Sequence, residues 1–516
     1  MNSKNNINQL KAGVALSYIS MGLGYLVSII YTPIMLRLLG QSEYGLYNLV
    51  ASVVAYLGVL SFGFGSAYMR YYSQYKVKED GEKIAILNGM FLIIFSTIGL
   101  IAVIFGTILA LNNELILGSE LTKIELSRAK IMMMILVINL AISFPSIIFT
   151  SYITVNEKFV FQNLIQMMKT VINPFVVLPA LLMGYGSIGM VIATTALNIS
   201  LEIINAFFCI RKLKMRFSFS KFNFKLMREM TVFSSFIFIN LVIDQINWNL
   251  DKFILGRFHG TISVAVYGLA AQLNTYYMSI ASTISNVFIP RVHRLVANSG
   301  DNNDLTELFT RIGRIQFIIL SLISTGLVFF GKPFISMWAG NNYIDSYLIA
   351  LLLIIPVTIP LIQNIGIEIQ RAKNLHQFRS WVYFFITLVN LGISIPLAKN
   401  FGGVGATIGT AAALIVGNGF IMNWYYHAKV GLDMKFFWKQ VLSFIPALIV
   451  PVLAGILINI IFNLYNIFYF LGCAIIYVVI FFVSMWFIGM NQYERELIGK
   501  PLGKIIGRIA KKIIGV

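Results

Sequence analysis

The chain has 516 residues, of which 58% are hydrophobic and only 11% charged, and its mean hydropathy is +0.81. A soluble domain keeps roughly a quarter of its residues charged, so a soluble enzyme or binding module is excluded. The net charge of +19 would suit nucleic acid, but the basic residues gather between apolar runs, as in the cytoplasmic loops of membrane proteins, and nucleic acid is not an expected partner.

In chain order the apolar runs are long enough to read as fourteen membrane spans, with cores near 13–36, 46–66, 84–111, 131–153, 159–182, 187–210, 231–255, 262–286, 313–336, 346–369, 380–398, 403–426, 437–461 and 466–489. About 20 apolar residues cross the hydrocarbon. Helix is the default because lipid cannot satisfy free backbone groups, and the runs lack the alternation of barrel strands. The expected fold is therefore an all-α polytopic membrane protein. The polar start "MNSKNNINQLKAG" precedes a run long enough to span and stay, so no cleavable signal is expected. Cys209 and Cys473 both fall inside apolar runs and form no disulfide or metal framework.

Charge orients the spans. With the N-terminus inside, 30 of the 39 Lys and Arg residues fall in inside segments and seven outside, while Lys169 and Lys252 lie within spans. That asymmetry puts both termini in the cytoplasm. Two inside segments mix basic and apolar residues. One is "RKLKMRFSFSKFNFKLMRE" from Arg211 to Glu229, with Phe217, Phe219, Phe222 and Phe224. The other is the C-terminal "LGKIIGRIAKKII", where Leu502, Ile505, Ile506, Ile509 and Ile513 share a helical face opposite Lys504, Arg508, Lys511 and Lys512. Both suit helices lying on an anionic leaflet.

The first outside loop has a twin. "MLRLLGQSEYGLYNLV" carries Arg37, Gly40, Tyr47 and Leu49; "GRFHGTISVAVYGLAAQL" carries Arg257, Gly260, Tyr267 and Leu269 at an offset of 220. A second pair, Gly186, Gly189 and Thr194 against Gly402, Gly405 and Thr410, aligns at an offset of 216. Two matches at nearly one offset argue for duplication. Six spans is an even number, so the copies share one orientation, as in transporters with parallel halves. The expected organisation is an N-terminal lobe over 1–210 (spans 1–6), a cytoplasmic amphipathic linker over 211–230, a C-terminal lobe over 231–428 (spans 7–12), two added helices over 429–490 and a basic tail over 491–516. The two six-helix lobes are related by a pseudo-two-fold axis along the membrane normal, with a substrate path expected between them. In this reading Gly40 and Gly45 let the chain turn and the helices close up, and Arg37 is an interfacial anchor before it is a substrate contact.

Ionisable groups inside spans are costly and mark function by default. In span 7, "FINLVIDQINWNLDKFILGRF", Asn240, Asp244, Asn247 and Asp251 fall on one helical stripe, with Lys252 beside it. Span 8 carries Gln272, Tyr276, Ser279, Thr283 and Asn286 at similar spacing. The candidate substrate path is Asn240, Asp244, Asn247, Asp251, Gln272, Tyr276 and Lys169, with Asp244 the candidate site for a coupling proton or sodium ion. The competing reading is hydrogen bonding that holds helices together. Lys169, midway along span 5, either binds an anion or pairs with Glu202 of span 6. Glu368, near the inside end of span 10, reads as a snorkelling group.

Arg70 ends span 2 in "FGFGSAYMRYYSQY", and Arg291 and Arg294 follow Pro290 at the matching end of span 8. All three are candidate diphosphate contacts, since a guanidinium fork suits phosphate; each is also a plain positive-inside anchor. No catalytic constellation appears. The four histidines are scattered, there is no phosphate-binding GxxxxGK[ST] loop, and the outside connection from Leu111 to Lys130 carries Glu114, Glu120 and Glu125 without paired acids.

These motifs resemble a known family. "LRLLGQSEYGLYNLVASVVAYLGVLSFGFGSAYMRYY", through Arg37, Leu39, Gly40, Tyr44, Gly45, Tyr47, Gly63, Gly65 and Arg70, is similar to the first two spans of the Wzx-type polysaccharide exporters, the oligosaccharide-lipid flippases of the multidrug, oligosaccharidyl-lipid and polysaccharide exporter superfamily. Asp251, Leu255, Gly256, Gly260, Tyr267 and Pro290 match its seventh and eighth spans. The resemblance implies alternating-access transfer of polyprenyl-diphosphate-linked oligosaccharide units across the bacterial cytoplasmic membrane for cell-surface polysaccharide, without ATP hydrolysis and without a cofactor, driven by a proton or sodium gradient, membrane potential or downstream consumption. It also implies membrane lipids, and the polymerase and glycosyltransferases of the same pathway, as partners. Spans 1, 2 and 8 lack deeply placed arginines, which departs from a strongly cationic cavity. The alternatives are a cation-coupled exporter of small molecules from the same superfamily and a membrane enzyme that polymerises or ligates the same glycolipids.

Overall fold

The computed structural model of the chain describes residues 3–220, 223–298, 301–497 and 499. Among these no strand occurs, and twelve helical stretches are long and apolar enough to cross a membrane. Two of the twelve each hold two expected spans. Phe224–Asn298 breaks at Gly260 (φ 71°, ψ −174°), and Gln377–Val430 breaks at Gly402 (φ 59°, ψ −141°). Divided at these breaks, the stretches are the fourteen spans read from the sequence. Their outer faces carry large exposed apolar side chains such as Leu100, Phe175, Ile460, Phe468 and Phe487, as lipid-facing helices must.

The breaks tie the duplication to backbone geometry. Gly40 (φ 76°, ψ 169°) ends the first helix, Ser3–Leu39, and opens the second, Gln41–Leu57; its sequence twin Gly260 adopts nearly the same angles. Gly186 (φ 56°) and its twin Gly402 (φ 59°) form a second matched pair. These positive φ values admit glycine readily and L side chains only with strain, so the repeated glycines specify repeated turns.

The chain forms two compact units: residues 1–268 with 391–406, and residues 269–390 with 407–516. These units are drawn by contact and cut across the repeat, because the start of the second copy packs with the first. In the first unit span 4 (Lys123–Val155) packs on span 3 (Gly81–Leu111) and span 6 (Gly186–Phe207), while span 5 (Phe159–Leu182) packs on spans 1 and 6. In the second, span 9 (Asn302–Trp338) packs on span 10 (Ser346–Ile362), and spans 13 and 14 (Ile445–Ile461 and Ile467–Ser484) attach to span 9.

Two expectations are corrected. Span 2 is not one helix: Gln41–Leu57 gives way to a tight turn at Gly58–Ser61 and to left-handed Phe62 (φ 50°) and Gly63 (φ 68°), before helix resumes over Phe64–Val77. The ring of Phe62 stacks on Phe238 at 4.4 Å. The basic segment after Arg211, expected as an interfacial helix, runs without helix from 213 to 219. The reason is its period-2 pattern: Leu213, Met215 and Phe217 alternate with polar residues and pack on an aromatic core of Tyr68, Phe91, Phe95 and Tyr152. Its backbone is held by the Ala85 carbonyl, which accepts from the Ser218 amide at 2.9 Å, and by the Asn88 side-chain amide, which donates to the Arg216 carbonyl at 2.8 Å. The expected amphipathic tail over 502–514 lies outside the described residues. Cys209 and Cys473 are free and buried.

Spans 13 and 14 are fastened by a buried ion pair that charge counting did not single out. Arg314, at the start of span 9 and 4% exposed, donates from Nε and Nη2 to Glu494 at 2.6 and 2.9 Å. Glu494 is 1% exposed. The remaining guanidinium hydrogens reach Ser443 Oγ at 2.9 Å and the carbonyls of Gln440 and Gly489, and the group lies over the Phe444 ring at 4.2 Å. A buried pair with every donor satisfied tolerates burial, but removing one partner leaves a stranded charge. Glu494→Ala should therefore destabilise the fold by about 3–5 kcal/mol, read as a lower unfolding midpoint of the detergent-purified protein. Arg314→Met combined with Glu494→Leu should regain part of the loss. An unchanged midpoint in Glu494→Ala would show that the pair does not hold the C-terminal spans.

Candidate functional site

At the end of the first unit that carries Gly40, four separate turns are laced by two carboxylates. Glu43, on the first turn after Gly40, pairs with Arg128 through one oxygen. Its other oxygen accepts from the Ser187 amide at 2.9 Å and from the Ser187 hydroxyl. It thereby caps span 6, where the exposed amides of a helix N-terminus favour an anion. Glu125 sits in a capping box with Thr122: the Glu125 amide donates to Thr122 Oγ1 at 3.2 Å and the Thr122 amide donates back to the carboxylate at 2.9 Å. Its free oxygen then accepts from Ser42 Oγ and Thr261 Oγ1, both at 2.7 Å.

Backbones also meet here. A Cβ on Gly45 would stand 1.8 Å from the Thr261 carbonyl oxygen, so the helix begun at Gln41 and the turn after Gly260 touch with no room for a side chain. Arg257 donates to the carbonyls of Leu115 and Ile116 at 3.0 and 3.1 Å, closing the end of the short helix Asn113–Leu117. His259 Nε2 lies 2.7 Å from the Ala398 carbonyl oxygen. Both arginines of the repeated loop are exposed, and Arg257 clamps the Leu115 and Ile116 carbonyls. Sequence reading did not assign this lace. The Thr122–Lys123–Ile124–Glu125 capping signature was its one local sign; its partners lie some eighty to one hundred and forty-four positions away.

The stripe of span 7 leads toward that lace. Asn240 and Asp244 are exposed, Asn247 is half-buried, and Asp251 is buried at 4% exposure. Asp251 Oδ2 accepts from the Tyr267 hydroxyl at 2.6 Å, which gives the repeated tyrosine a structural job and takes Asp251 away from water. Exposure along the stripe therefore falls stepwise toward the Gly40 end. Lys169 is exposed on span 5. Its charge acts on Glu202, but the two form no ion pair, and Glu202 instead accepts from Ser143 Oγ at 2.6 Å. Lys252 lies beside Asp251, half-buried.

In the second unit Gln272 Nε2 donates to the Tyr276 hydroxyl at 2.6 Å, and both residues are half-buried. Farther along span 8, Ser279 and Thr283 donate to carbonyls of their own helix at 3.0 and 2.7 Å. The neighbouring Tyr277 and Gln316 are buried in bonds to Thr358 and Ser285. Span 8 thus mixes local and interhelical bonding with its half-buried pair.

The candidate phosphate contacts are open. Arg70 is exposed with its guanidinium 4.6 Å from the Phe233 ring centre. Arg291 and Arg294 are exposed after Pro290. None of the three has a carboxylate within ion-pair distance among the described residues, so their donors are available to an anion. Glu368, by contrast, pairs with Arg371 at 2.6 Å. Among the described residues no group of three His, Cys, Asp or Glu side chains could hold a metal ion.

A family model described as "Polysaccharide biosynthesis protein" matches residues 10–296, more than half of the chain. A Shigella flexneri protein named "Putative O-antigen transporter" is 20% identical over 395 residues, covering 76% of this chain and 91% of that one. "Teichuronic acid biosynthesis protein TuaB" of Bacillus subtilis is 21% identical over 226 residues, 43% of this chain and 45% of that one. Among solved structures, the lipid II flippase MurJ in an inward closed conformation superposes with a TM-score of 0.72 at 16% identity, over 92% of this chain and 97% of that one. An inward-facing multidrug-resistance MATE transporter superposes with a TM-score of 0.63 at 12% identity, over 81% and 96%. The two structural neighbours share the fold, and they are transporters rather than enzymes. The chain belongs to the polysaccharide biosynthesis protein family.

Proposed function

We propose that this protein carries a polyprenyl-diphosphate-linked oligosaccharide from the cytoplasmic to the outer leaflet of a bacterial cytoplasmic membrane, by alternating access, for assembly of cell-surface polysaccharide. The observation that carries the reading is the graded polar stripe of span 7 in a chain of this family. A sugar headgroup needs a wet, hydrogen-bonding wall through the hydrocarbon, and Asn240, Asp244 and Asn247 supply one. The names of the relatives, with O-antigen and teichuronic acid in them, support a surface glycan as cargo.

The charge asymmetry of the loops supports both termini lying in the cytoplasm. In that orientation the Glu43–Glu125 lace is on the outer side, and the exposed half of the stripe is on the cytoplasmic side. This is the arrangement a carrier needs while it accepts substrate from inside. Arg70, Arg291 and Arg294 then sit at cytoplasmic helix ends, where a forked guanidinium meets a diphosphate bidentately. The lipid tail stays in the bilayer. Opening the outer side requires the Ser42, Thr261 and Ser187 bonds to break, so the lace sets part of the cost of the conformational change. Fold likeness to MATE transporters favours a second reading, a cation-coupled exporter of small molecules.

In proteoliposomes carrying a lipid-linked oligosaccharide, the headgroup should reach the opposite leaflet with no change in covalent structure. A new glycosidic bond would sink the carrier reading, and dye or drug export without glycolipid transfer would move it to the second. Asp244→Ala should slow transfer about tenfold, the cost of removing one charged contact, at an unchanged unfolding midpoint; transfer at the full rate would take Asp244 out of the path. The double variant Arg70→Ala, Arg291→Ala should weaken binding of the diphosphate lipid about 10–100-fold, and undiminished binding would leave both arginines as anchors. A cysteine placed at Gln41 should react with an impermeant reagent from outside the cell, and labelling only from the cytoplasm would invert the topology.

A further inference from the structure

In the second unit, the end of span 9 remote from Arg314 is shaped by a proline. Pro333 has no N–H, so the Phe329 carbonyl four residues earlier loses its helical donor. The Asn459 side-chain amide of span 13 takes that place at 3.1 Å and gives its other hydrogen to the Gly455 carbonyl at 2.9 Å. The Phe329 ring lies against Gly455 with no room for a Cβ, so at this level spans 9 and 13 close on each other. The Tyr347 hydroxyl of span 10 donates to the Val328 carbonyl at 2.7 Å. After span 13 the chain turns through extended Phe462 (φ −112°, ψ 139°). Leu464, 3% exposed, pins that turn onto Phe330, Ile458 and Tyr477.

These contacts frame a cavity of about 350 Å³, whose lining includes Lys332, Tyr347, Asn459, Asn463 and Tyr465. A space of that size suits a small ligand or a headgroup. Lys332 is exposed and makes no hydrogen bond or ion pair among the described residues. Asn463 Oδ1 accepts from the Tyr465 amide at 3.1 Å, which leaves the Asn463 NH2 group and the Tyr465 hydroxyl as unengaged donors among the described residues. No carboxylate lines the cavity. One full positive charge beside two neutral donors matches a singly charged anion with several oxygens, as in a phosphodiester. A lysine that only snorkels needs neither the donors nor the cavity. The surroundings are those of a lipid. Val328, one turn deeper than Lys332, and Ile456, one turn deeper on the Asn459 face of span 13, both expose apolar side chains. A free phosphate leaves them bare, whereas a phospholipid covers them with its acyl chains.

We propose that spans 9, 10 and 13 bind one anionic phospholipid, its phosphodiester on Lys332, Asn463 and Tyr465 and its chains along Val328 and Ile456. With both termini cytoplasmic, this lipid belongs to the outer leaflet. The site is separate from Arg70, Arg291 and Arg294 and does not depend on what the protein carries.

The test is native mass spectrometry of the full-length, detergent-purified protein titrated with dioleoylphosphatidylglycerol or dioleoylphosphatidylcholine, which share their chains and differ in net charge. The wild type should bind the first lipid tightly and the second far more weakly. Bound phosphatidylglycerol should also slow acetylation of Lys332 by an amine-reactive reagent several-fold, read on the Lys332 peptide. Lys332→Gln should raise the concentration for half-occupancy about tenfold, the loss of one charged hydrogen bond, while Lys332→Arg keeps wild-type occupancy. Lys399→Gln removes an exposed lysine elsewhere and should change nothing. Asn463→Trp fills the cavity, keeps the lysine and should weaken binding as much as Lys332→Gln does. Equal binding of the two lipids, unprotected Lys332, equal losses in Lys332→Gln and Lys399→Gln, or wild-type occupancy in Asn463→Trp would overturn the site. Displacement of the lipid by equimolar inorganic phosphate would overturn the lipid as its occupant. A protein that binds phosphatidylglycerol in this way yet moves no glycolipid keeps the site and loses the carrier reading.

Discussion

Hydrocarbon offers no hydrogen-bond partner, and this constraint governs the protein at every level. It makes the backbone helical in every span. It also obliges each polar side chain within a span to find a partner in the protein or to face water. Arg314 and Glu494 satisfy one another and draw in two carbonyls and a hydroxyl, and the C-terminal spans are thereby joined to span 9. Asp251 takes the Tyr267 hydroxyl. Along span 7 the same rule separates roles: the stripe residue nearest the Gly40 end is buried and bonded, while Asn240 and Asp244 are exposed.

The internal duplication conserves backbone and lets side chains diverge. Gly40 and Gly260, and again Gly186 and Gly402, repeat the same left-handed turns. The arginines that mark the same loops do not repeat, since only Arg257 ties down the end of Asn113–Leu117. One copy of the loop contributes Ser42 and Glu43, the other Thr261, and both meet at Glu125. Two equivalent turns thus become the two halves of one hydrogen-bonded closure, although neither loop is self-complementary by sequence.

Carboxylates are scarce in this chain, and their surroundings divide them into kinds. Glu43 and Glu125 sit at helix N-termini, where backbone amides and hydroxyls hold the charge at little cost. Glu494 is neutralised by Arg314. Glu202, half-buried within a span, accepts from the Ser143 hydroxyl at 2.6 Å. Asp244 stands exposed.

Much of this was legible in the residues. Run length and charge asymmetry determined the spans, because hydrocarbon thickness and the cost of moving lysine and arginine across it act on any sequence alike. The paired glycine motifs determined where the chain turns, since few other residues tolerate those angles. The signature around Arg37, Gly63 and Arg70 pointed to the polysaccharide biosynthesis family whose model matches residues 10–296. Pairing over long separations was not legible. Nothing local told that Glu43 would cap span 6, that Arg314 would reach Glu494 across 180 positions, or that Asp251 would be buried while Asp244 was exposed. Helical periodicity assigns a residue to a face, but only the packed neighbours decide whether that face meets water, lipid or another polar group. The extended run at 213–219 and the break at Gly63 belong to the same class: side chains brought together by the tertiary fold overrode the helix that local sequence favoured.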